Sequence, residues 1–527
     1  MIPRTIQRTI QRTIQHRPLA APTLIALAMA LPAHHATAWA QSSSPAQHTV
    51  AQLADQSAAQ SVAQSAESGD AATASPAASA PASVFAISSA PTRTATVSSQ
   101  ASPSGQAPTP AAARPPFPNR ANEGLPSWVR LRGEFRERVE GFQGSGFVEG
   151  RDDGYALTRV RLNATVTPTP HLSFQANVQD ARVASKQVGP TTAPFRGPVD
   201  LRTGFADIGS AKAPIALRVG RQELAFGEQR LLGHLAWVNT GRAWDAARVT
   251  VRHKTFLLDA FGGSLVRSLP DSFDRSGNGN RLAGAYLTTT KVVPLASLEP
   301  FVLFRRDVNL RSETLAVANL RQTTVGVRLA GRLPARLDYG MDLALQRGEL
   351  AADSVQAWAG HWQLRASLPG AKAKRVTTEY NFASGDTDPT DGTRGTFDQL
   401  YATGHDKLGL ADQVGWRNVH HLREGFEFAP IKDTPLSVNY HSWWLAERRD
   451  GLYSAGGALL ARVASGAESR HVGQEIDLQV SRTLTPQFQL AAGYAHIFTG
   501  AFLKQATPGA SYSHPFVMAT YVFLADK

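Results

Sequence analysis

WVRLRGEFRERVE, residues 128 to 140, alternates apolar and charged side chains along its length. The odd positions are mostly apolar: Val129, Leu131, Gly133, Phe135 and Val139. The even positions are charged: Arg130, Arg132, Glu134, Arg136 and Arg138. A period of two predicts a β-strand with one apolar face and one ionic face. The pattern alone does not decide whether the apolar face meets lipid or the packed core of a sandwich.

About 18 segments with this alternation follow one another between residues 127 and 524. Short connections such as TPTP, SAKA and LTP separate some of them. Long connections separate the others, at 184–199, 223–242, 265–280, 385–413, 449–469 and 499–513. Short turns at one end and long loops at the other are typical of an outer-membrane barrel whose N-terminus and short turns lie in the periplasm. We therefore expect an all-β fold, a transmembrane antiparallel β-barrel of about 18 strands, over residues 127–527.

Aromatic side chains fall where such a barrel meets the membrane interfaces. Phe488 and Phe498 share a face ten residues apart, which is roughly 33 Å along a strand. A tilt of about 40° reduces this to about 25 Å, the height of the apolar band between aromatic girdles. Further aromatic residues on predicted lipid-facing positions are Tyr286, Tyr339, Tyr380, Trp444 and Tyr494. The final strand, HPFVMATYVFLADK, resembles the C-terminal assembly signal of outer-membrane proteins.

The first 126 residues differ from the rest of the chain. Residues 1–40 combine four arginines, an apolar run over residues 19–31 and Ala38-Trp39-Ala40, the pattern of a secretory signal peptide. Residues 41–126 are rich in Ala, Ser, Pro and Gln, and such a segment cannot bury enough apolar surface to offset its ordering entropy. We predict a signal peptide followed by a disordered periplasmic tether, and an outer-membrane location for the barrel.

Composition narrows the possible partners. The chain carries 54 Lys and Arg against 42 Asp and Glu, a formal charge of +12, and it has no cysteine. Disulfides and thiolate metal sites are therefore excluded. The excess of arginine fits an anionic partner, or simply a codon bias toward Arg and Ala. A secreted barrel with inward arginines leaves little room for nucleic-acid binding.

Two long blocks carry a family resemblance. The first lies in GRQELAFGEQRLLGHLAWVNTGRAWDAARVTVRH, residues 220–253, and includes Gly220 to Leu224, Phe226-Gly227, Arg230-Leu231, Trp237, Asn239, Arg242, Asp245-Ala246 and Arg248. The second, within residues 377–418, includes Glu379-Tyr380, Ser384 to Asp386, Thr396 to Gln399, Tyr401 and Gly415 to Asn418. Together they resemble the alginate export family of outer-membrane proteins, over about residue 127 to the C-terminus.

The resemblance implies an 18-stranded barrel with an electropositive constriction that passes an anionic uronate polysaccharide outward. It also implies periplasmic export-machinery proteins as partners, beside outer-membrane lipid. In the best-known member of the family a long periplasmic turn late in the chain helps to occlude the pore, whereas the connection near Thr483 to Pro486 is very short here. A general or uptake porin for small organic anions or oligouronates would use the same lumen. We expect a monomer.

The charged face of each strand must line the lumen, because arginine on the lipid face costs roughly 2–4 kcal/mol at the bilayer midplane. The predicted pore-lining residues are Arg130, Arg132, Arg136, Arg159, Arg161, Arg221, Glu223, Arg242, Asp245, Arg248 and Glu379. Arginine rings select anions, and a guanidinium pairs a carboxylate through two parallel hydrogen bonds. The same residues could instead brace neighbouring strands. Asp245 and Arg248 can both face inward only if a β-bulge separates them, and residues 220–253 would return to line the pore mouth.

Two weaker signals concern metals and catalysis. Asp386, Asp388 and Asp391, in DTDPTDG, could hold calcium in an extracellular loop, although a solvated turn explains the same residues. His420 and His421 have no nucleophile motif such as G-x-S-x-G beside them. We therefore expect a channel rather than an enzyme, with no cofactor other than this candidate calcium ion.

Overall fold

The computed structural model describes residues 121–313, 315–370 and 374–524. The predicted signal peptide and residues 41–120 of the predicted tether lie outside these residues. Ala121–Gly124 forms a 3-10 helix just before the barrel. The Asn122 side chain fixes this turn, because its Nδ2 donates hydrogen bonds of 2.8 Å to the carbonyl oxygens of Leu131 and Leu524. Residues 121–124, which the sequence assigned to the tether, therefore pack against the barrel.

The chain forms 18 antiparallel strands that close into a barrel, as the alternation predicted. The strands are β1 (Val129–Phe142), β2 (Asp153–Thr169), β3 (Leu172–Ala184), β4 (Gly197–Ile208), β5 (Ile215–Gln222), β6 (Trp244–Arg252), β7 (Leu257–Arg267), β8 (Arg275–Thr288) and β9 (Ala296–Arg311). The second half comprises β10 (Val317–Leu333), β11 (Leu337–Leu350), β12 (Asp353–Leu368), β13 (Lys374–Ala383), β14 (Val419–Ile431), β15 (Thr434–Leu445), β16 (His471–Thr485), β17 (Phe488–Thr499) and β18 (Tyr512–Phe523). Each strand pairs with the next, and β18 pairs with β1, so the barrel has no open edge.

The connections keep the predicted alternation of length. Turns as short as residues 432–433 and 486–487 lie at the end where the chain enters the barrel. The longest connections lie at the other end, over residues 223–243, 384–418 and 446–470. The last of these contains a small hairpin, Gly451–Tyr453 with Leu459–Arg462, and a short helix, α1 (Ala501–Ala506), follows β17. By the convention of outer-membrane barrels the short turns face the periplasm.

Side chains of β1 show how the two faces differ. The side chains of Arg136 and Arg138 point into the barrel and are 2% and 1% exposed. Those of Phe135 and Val139 point outward and are 40% and 55% exposed. Apolar side chains are therefore directed to the membrane and charged ones to the interior. This polarity is the reverse of a soluble barrel and fits a wall that must present hydrocarbon to lipid.

The interior also holds a packed apolar cluster, built largely from the long connections. Its members include Leu232, Trp237, Phe397, Leu410 and Trp416, each at most 3% exposed. These residues belong to connections 223–243 and 384–418, which we name the first and second inner loops. Both loops fold into the barrel and contact its inner wall.

The prediction that Tyr286 faces the lipid as part of an aromatic girdle is wrong. Its ring faces the interior, stacks on Phe226 at 4.8 Å between centroids, and its hydroxyl donates a 2.6 Å hydrogen bond to Glu299. Tyr380 and Tyr494 do face outward, 37% and 42% exposed. In the described part of the chain, no helix has the length and apolar character needed to cross a bilayer.

Candidate functional site: the arginine-lined lumen

Arginines of the inner wall hold the first inner loop by its backbone. Arg136 donates to the carbonyl oxygens of Ala236 at 3.1 Å and Trp237 at 2.8 Å. Arg159 reaches the same Ala236 carbonyl at 3.1 Å. Carbonyl oxygens are neutral, so these contacts satisfy guanidinium donors without cancelling their charge. The loop therefore leaves the charge of Arg136 in place, whereas Arg159 also pairs with Glu134 of the wall.

Trp237 is the buried centre of the first inner loop. The Arg138 guanidinium carbon lies 3.5 Å from the centroid of its ring. The rings of His405 and Phe516 pack at 5.0 and 4.9 Å between centroids, one stacked and one edge-on. Buried aromatic contacts of this kind fix a loop against the wall. Burial and the nearby Arg138 also lower the pKa of His405 well below its usual range, so this imidazole is neutral.

The two inner loops are joined edge to edge. Tyr401 donates its backbone N–H to the Leu231 carbonyl at 2.9 Å, and Gly233 donates to the Tyr401 carbonyl at 2.9 Å. Arg242 crosses the same seam and donates to the carbonyls of Gly233 at 3.1 Å, Ala402 at 3.2 Å and Tyr401. Burial lowers the pKa of Arg242 to about 10. Arg242, predicted as pore-lining, therefore joins the loops together.

The second inner loop is fixed to strand β16 by carboxylates. Ala411 donates its N–H to Glu475 at 3.0 Å, and Leu410 donates to Asp477 at 3.1 Å. Trp443 of β15 donates its indole N–H to the Leu408 carbonyl at 2.7 Å. Both inner loops are therefore held in the lumen by hydrogen bonds to the inner wall.

Glu379 links the wall to the first inner loop through several hydrogen bonds. It is fully buried on β13 and accepts hydrogen bonds from Arg230 at 2.8 Å, Gln363 at 3.0 Å and Asn381 at 2.9 Å. Arg230 belongs to the first inner loop, and its guanidinium also donates to Asn381. A buried carboxylate with this many donors is fully satisfied, so Glu379 acts as an anchor.

A cavity of about 370 Å³ lies below the first inner loop. We name it the arginine cavity. Its lining is Arg132, Gly133, Glu134, Arg161, Asn163, Gln175, Asn177, Arg202, Thr203, Phe205, Arg218, Glu223 and Val522. It lies toward the periplasmic end, because Arg132 and Gln175 are each the fourth residue of strands that start there. Its four arginines exceed its two glutamates.

Two of these arginines have no carboxylate partner. The Arg132 side chain is exposed in the cavity. Its guanidinium has no hydrogen-bond or ion-pair partner among residues 121–313, 315–370 and 374–524. Arg161 donates to Gln179 at 2.7 Å and to the Thr240 carbonyl at 3.4 Å, both uncharged acceptors. Glu134 is the Cα partner of Arg161 and offsets part of its charge, but four arginines against two glutamates leave the lining positive, so an anion gains favourable interactions there.

The comparisons with known proteins agree with this architecture. The family model described as "Alginate export" matches residues 127–516. The chain belongs to the alginate export family.

Solved structures similar to this alginate export family chain are outer-membrane porins. Acinetobacter baumannii OccAB2 has a TM-score of 0.52 at 12% identity, over 76% of this chain and 99% of that one. Pseudomonas aeruginosa OccK10 (OpdN) has a TM-score of 0.51 at 12% identity, over 75% and 99%. Pseudomonas aeruginosa OpdQ has a TM-score of 0.51 at 11% identity, over 75% and 98%. No curated protein matches the chain. Family and fold together make this an outer-membrane channel.

Other lumen arginines of this alginate export family protein are paired. Arg159 contacts Glu134 at 2.6 Å, Arg218 contacts Asp207 at 2.7 Å, and Arg248 contacts Asp259 at 2.8 Å. The partners of each pair lie on adjacent strands, so these contacts brace the wall as the alternative interpretation proposed. Arg130 lies at the periplasmic rim, exposed, and donates to the Pro126 and Val129 carbonyls.

Glu223 lies at the start of the first inner loop and forms an ion pair with Arg202. Burial alone would raise the pKa of Glu223, but Arg202, His234 and Arg161 outweigh it and the pKa is lowered. The glutamate is therefore ionised and holds Arg202 at the cavity wall. Glu223 was predicted from the sequence; Arg202 was not.

Arg221 and Asp245 face the other side of the wall, and their prediction as pore-lining residues is wrong. They pair with each other at 2.9 Å on the outer surface, near the extracellular ends of β5 and β6. No bulge separates Asp245 from Arg248, because the register of β6 is continuous with both neighbours. With a period of two, only Arg248 of the pair can face inward.

The candidate calcium ligands form a hydrogen-bonded turn. Asp386 accepts the Asp388 N–H at 3.1 Å, Asp388 pairs with Arg449 at 3.0 Å, and Asp391 accepts the Thr393 N–H at 2.7 Å. Within the described ranges, no group of three or more histidine or acidic residues is placed to hold a metal ion. These contacts are those of the solvated turn that the sequence allowed, and calcium binding stays a prediction.

The sequence did not predict that Arg202 lines the cavity, and an irregularity of strand β4 explains why. The pairing of β4 with β3 shifts register twice, so Arg202 and Thr203 are both buried although they are adjacent in sequence. A strict period of two fails at such irregularities. In the sequence, Trp237 and Asn239 stand out only as parts of the family motif. Asn239 donates to the carbonyls of Thr158, Arg182 and Phe195, which is a structural signal that the sequence does not carry.

Proposed function

We propose that this channel passes an anionic, uronate-type polysaccharide from the periplasm to the cell exterior. The observation that carries the proposal is the arginine cavity, where four arginines, Arg132 and Arg161 among them, outnumber two glutamates at the periplasmic end of the lumen. A uronate chain presents one carboxylate per sugar, and arginine recognises carboxylates through its planar pair of donors. Membership of the alginate export family supports the same substrate class.

The position of the cavity supports an entry role. It lies on the periplasmic side of the first inner loop, so a chain arriving from the periplasm meets these arginines before the constriction. Positive charge in a narrow, water-filled space raises the local concentration of anions. Entry of a polyanion would then be favoured without tight binding, because Glu134 and Glu223 offset part of the arginine charge.

Movement of the inner loops follows from this proposal. The two loops divide the lumen, and a polysaccharide must displace the seam at Leu231, Gly233 and Tyr401. We propose that periplasmic export-machinery proteins deliver the chain and that the barrel itself is monomeric and performs no catalysis. The family and the fold are those of transport channels.

A second candidate is a porin for small organic anions or oligouronates. The observation that favours it is size, because a cavity of about 370 Å³ lies within the usual range of small-molecule sites. The same two arginines would attract the solute. Export and uptake would use the same passive channel. The direction of transport would depend on the side of the membrane on which the solute is supplied.

Planar-bilayer recordings of the full-length protein test the proposal. We expect chloride to permeate better than potassium, and oligouronates of increasing length to block the current from the periplasmic side with increasing affinity. The double variant Arg132→Glu with Arg161→Glu should weaken both effects. Arg375→Gln is the matched control, because this inward arginine is paired with Glu427 at 3.4 Å away from the cavity.

The outcomes separate the two candidates. Block that strengthens with chain length and disappears in the double variant supports polysaccharide export. Block by short oligouronates alone, with no gain from longer chains, supports the small-anion porin. A wild-type channel that prefers cations and ignores oligouronates would overturn both, since the arginines would then only brace the wall.

A further inference from the structure

Three arginines stand side by side on the outer surface of the barrel. Arg281 of β8 is the Cα partner of Arg306 on β9, and Arg306 is the Cα partner of Arg321 on β10. All three side chains are exposed. Directly paired residues on neighbouring antiparallel strands have Cα atoms about 4.5–5.5 Å apart. We name this set the outer arginine row.

The alternation of each strand shows that the row faces away from the lumen. Leu282, next to Arg281, is 1% exposed and belongs to the interior cluster. Asp307, next to Arg306, is 3% exposed, and its carboxylate pairs with the inward Arg305. Because neighbouring side chains point to opposite faces, Arg281 and Arg306 point outward.

The row lies at the extracellular border of the apolar band. Arg306 is near the end of β9 and Arg321 near the start of β10, both at the long-loop end. Phe304 lies two residues from Arg306 toward the periplasm on the same face and is 50% exposed. Val325, on the face of Arg321, is 52% exposed. Lipid tails therefore meet the wall directly below the row, and the headgroups of the outer leaflet meet the row.

The positive charge of the row is poorly compensated. Across the described ranges, the guanidinium groups of Arg281 and Arg306 have no hydrogen-bond or ion-pair partner. Arg321 contacts Glu349 at 3.2 Å, with both side chains more than 60% exposed. Arg347 adds a further outward charge two residues from Glu349. Like charges directly opposite each other on a sheet repel, so the arrangement calls for an external anion.

A groove of about 260 Å³ runs between these side chains, and Gly279, Asp307, Val308, Asn319 and Leu320 also line it. The Asp307 carboxylate is turned inward, where it pairs with Arg305. The groove is large enough for a phosphate group and opens on the outer surface. Guanidinium groups bind phosphate through paired hydrogen bonds, which adds geometric selectivity to the charge attraction. A phosphate seated there would relieve the repulsion between the three arginines.

We propose that the outer arginine row binds the phosphorylated glucosamine headgroup of the lipopolysaccharide in the outer leaflet. The acyl chains would lie against Phe304 and Val325 below, while the phosphates contact Arg281, Arg306 and Arg321. This site is separate from the lumen, and its occupancy does not depend on what the channel transports. It would fix the depth of one side of the barrel in the outer leaflet.

Native mass spectrometry of the full-length protein in detergent tests the site, with bis-phosphorylated lipid A as the probe. We expect the wild type to retain lipid A, and the triple variant Arg281→Gln, Arg306→Gln, Arg321→Gln to bind it at least about tenfold more weakly. Arg306→Lys should be intermediate, because lysine keeps the charge but loses the paired donors. Circular dichroism establishes that each variant is folded.

Arg182→Gln is the matched control. Arg182 is also exposed, on the outer face near the extracellular end of β3, but Asp180 pairs with it at 2.7 Å. Its loss should leave lipid A binding unchanged. Dephosphorylated lipid A should bind the wild type as weakly as lipid A binds the triple variant.

Several results would overturn the proposal. Equal lipid A binding by the wild type and the triple variant would remove the row from recognition. Phosphatidylglycerol that competes as well as lipid A would show a general attraction for anionic lipids, and inorganic phosphate that competes equally would show an ion site without a lipid. A change in oligomeric state in the triple variant, with lipid A retained, would identify the row as a protein interface.

Discussion

Arg230 and Glu379 form an ion pair of 2.8 Å in the interior, and the glutamate is fully buried. The arginine belongs to the first inner loop and the glutamate to strand β13, 149 residues later in the chain. Gln363 and Asn381 supply further donors to the same carboxylate. This pair therefore connects the structure that divides the lumen to the wall that supports it.

Glu379→Gln should release the first inner loop. Breaking a buried ion pair by removing one partner costs about 3–5 kcal/mol where the other charge is left without a close partner, and Arg230 would keep only the longer contact with Glu228, at 3.6 Å. Hydrogen exchange around Arg230 should accelerate by a factor of about 100 or more, and the open-channel current should become larger and noisier. Hydrogen exchange with mass spectrometry and bilayer recording measure these effects.

Glu427→Gln is the control for this prediction, because its pair with Arg375 is 3.4 Å long and both side chains are about 40% exposed. Such an exposed pair contributes about 0–1 kcal/mol. Loop exchange that responds equally to both variants would show that Glu379 has no special anchoring role.

Trp237→Ala should also loosen the first inner loop. The indole fills the space between Arg138, His405 and Phe516, and its loss should cost about 3–5 kcal/mol through lost contacts and the cavity left behind. We expect higher conductance and faster proteolytic cleavage within residues 223–243. Trp128→Ala serves as the control, because Trp128 is 48% exposed at the barrel rim. Unchanged conductance in Trp237→Ala would mean that the loop does not limit the current.

The strands were predictable because their signal is local. Residues 128–140 carry their own alternation, and β1 runs from Val129 to Phe142 as expected. Every strand of the wall has an apolar outer face and a polar inner face. Each strand can therefore be predicted from its own residues. The same reasoning anticipated that residues 220–253 return toward the lumen.

The orientation of residues near strand ends was less predictable. At the extracellular ends of β5 and β6 the hydrocarbon has ended, so Arg221 and Asp245 face outward at little cost. The rule that charge points inward holds only within the apolar band. Tyr286 was also assigned to the wrong face of its strand. Its side chain points into the barrel, where its hydroxyl donates to Glu299.

The contents of the lumen could not be read from the sequence. Contacts such as Trp443 with the Leu408 carbonyl, or Gly233 with Tyr401, join segments that carry no periodic pattern. They depend on where two long loops meet after the wall has closed. Sequence reasoning found Glu379 as a charged residue of the interior and missed that its partner is Arg230.

Arg221→Gln should leave ion selectivity unchanged, because Arg221 lies outside the lumen with Asp245 at 2.9 Å. Arg132→Gln, the matched change inside the arginine cavity, should reduce the preference for chloride. Reversal potentials in a salt gradient compare the two variants directly. A selectivity loss in Arg221→Gln as large as that in Arg132→Gln would contradict the outward placement.

Asp386 should make the extracellular turn sensitive to pH. Burial, and then the nearby Glu313 and Asp450 carboxyls, raise the pKa of Asp386 from 3.8 to about 7. A carboxyl whose pKa is raised on folding stabilises the folded turn fully below its unfolded pKa, and that contribution is lost as the pH rises through the folded pKa. The turn should therefore open more readily above about pH 7, as Asp386 ionises beside two other acids.

Hydrogen exchange of residues 385–396, corrected for the intrinsic rate, measures this opening at about pH 6 and about pH 8. Protection should fall at the higher pH in the wild type and stay constant in Asp386→Asn, which cannot ionise. Asp391→Asn should behave like the wild type, because Asp391 is exposed and only accepts the Thr393 N–H. Calcium that restores protection at the higher pH in the wild type but not in Asp386→Asn would support the predicted ion site. Protection that is independent of pH in the wild type would contradict the raised pKa, because an Asp386 already ionised at about pH 6 has no proton to lose.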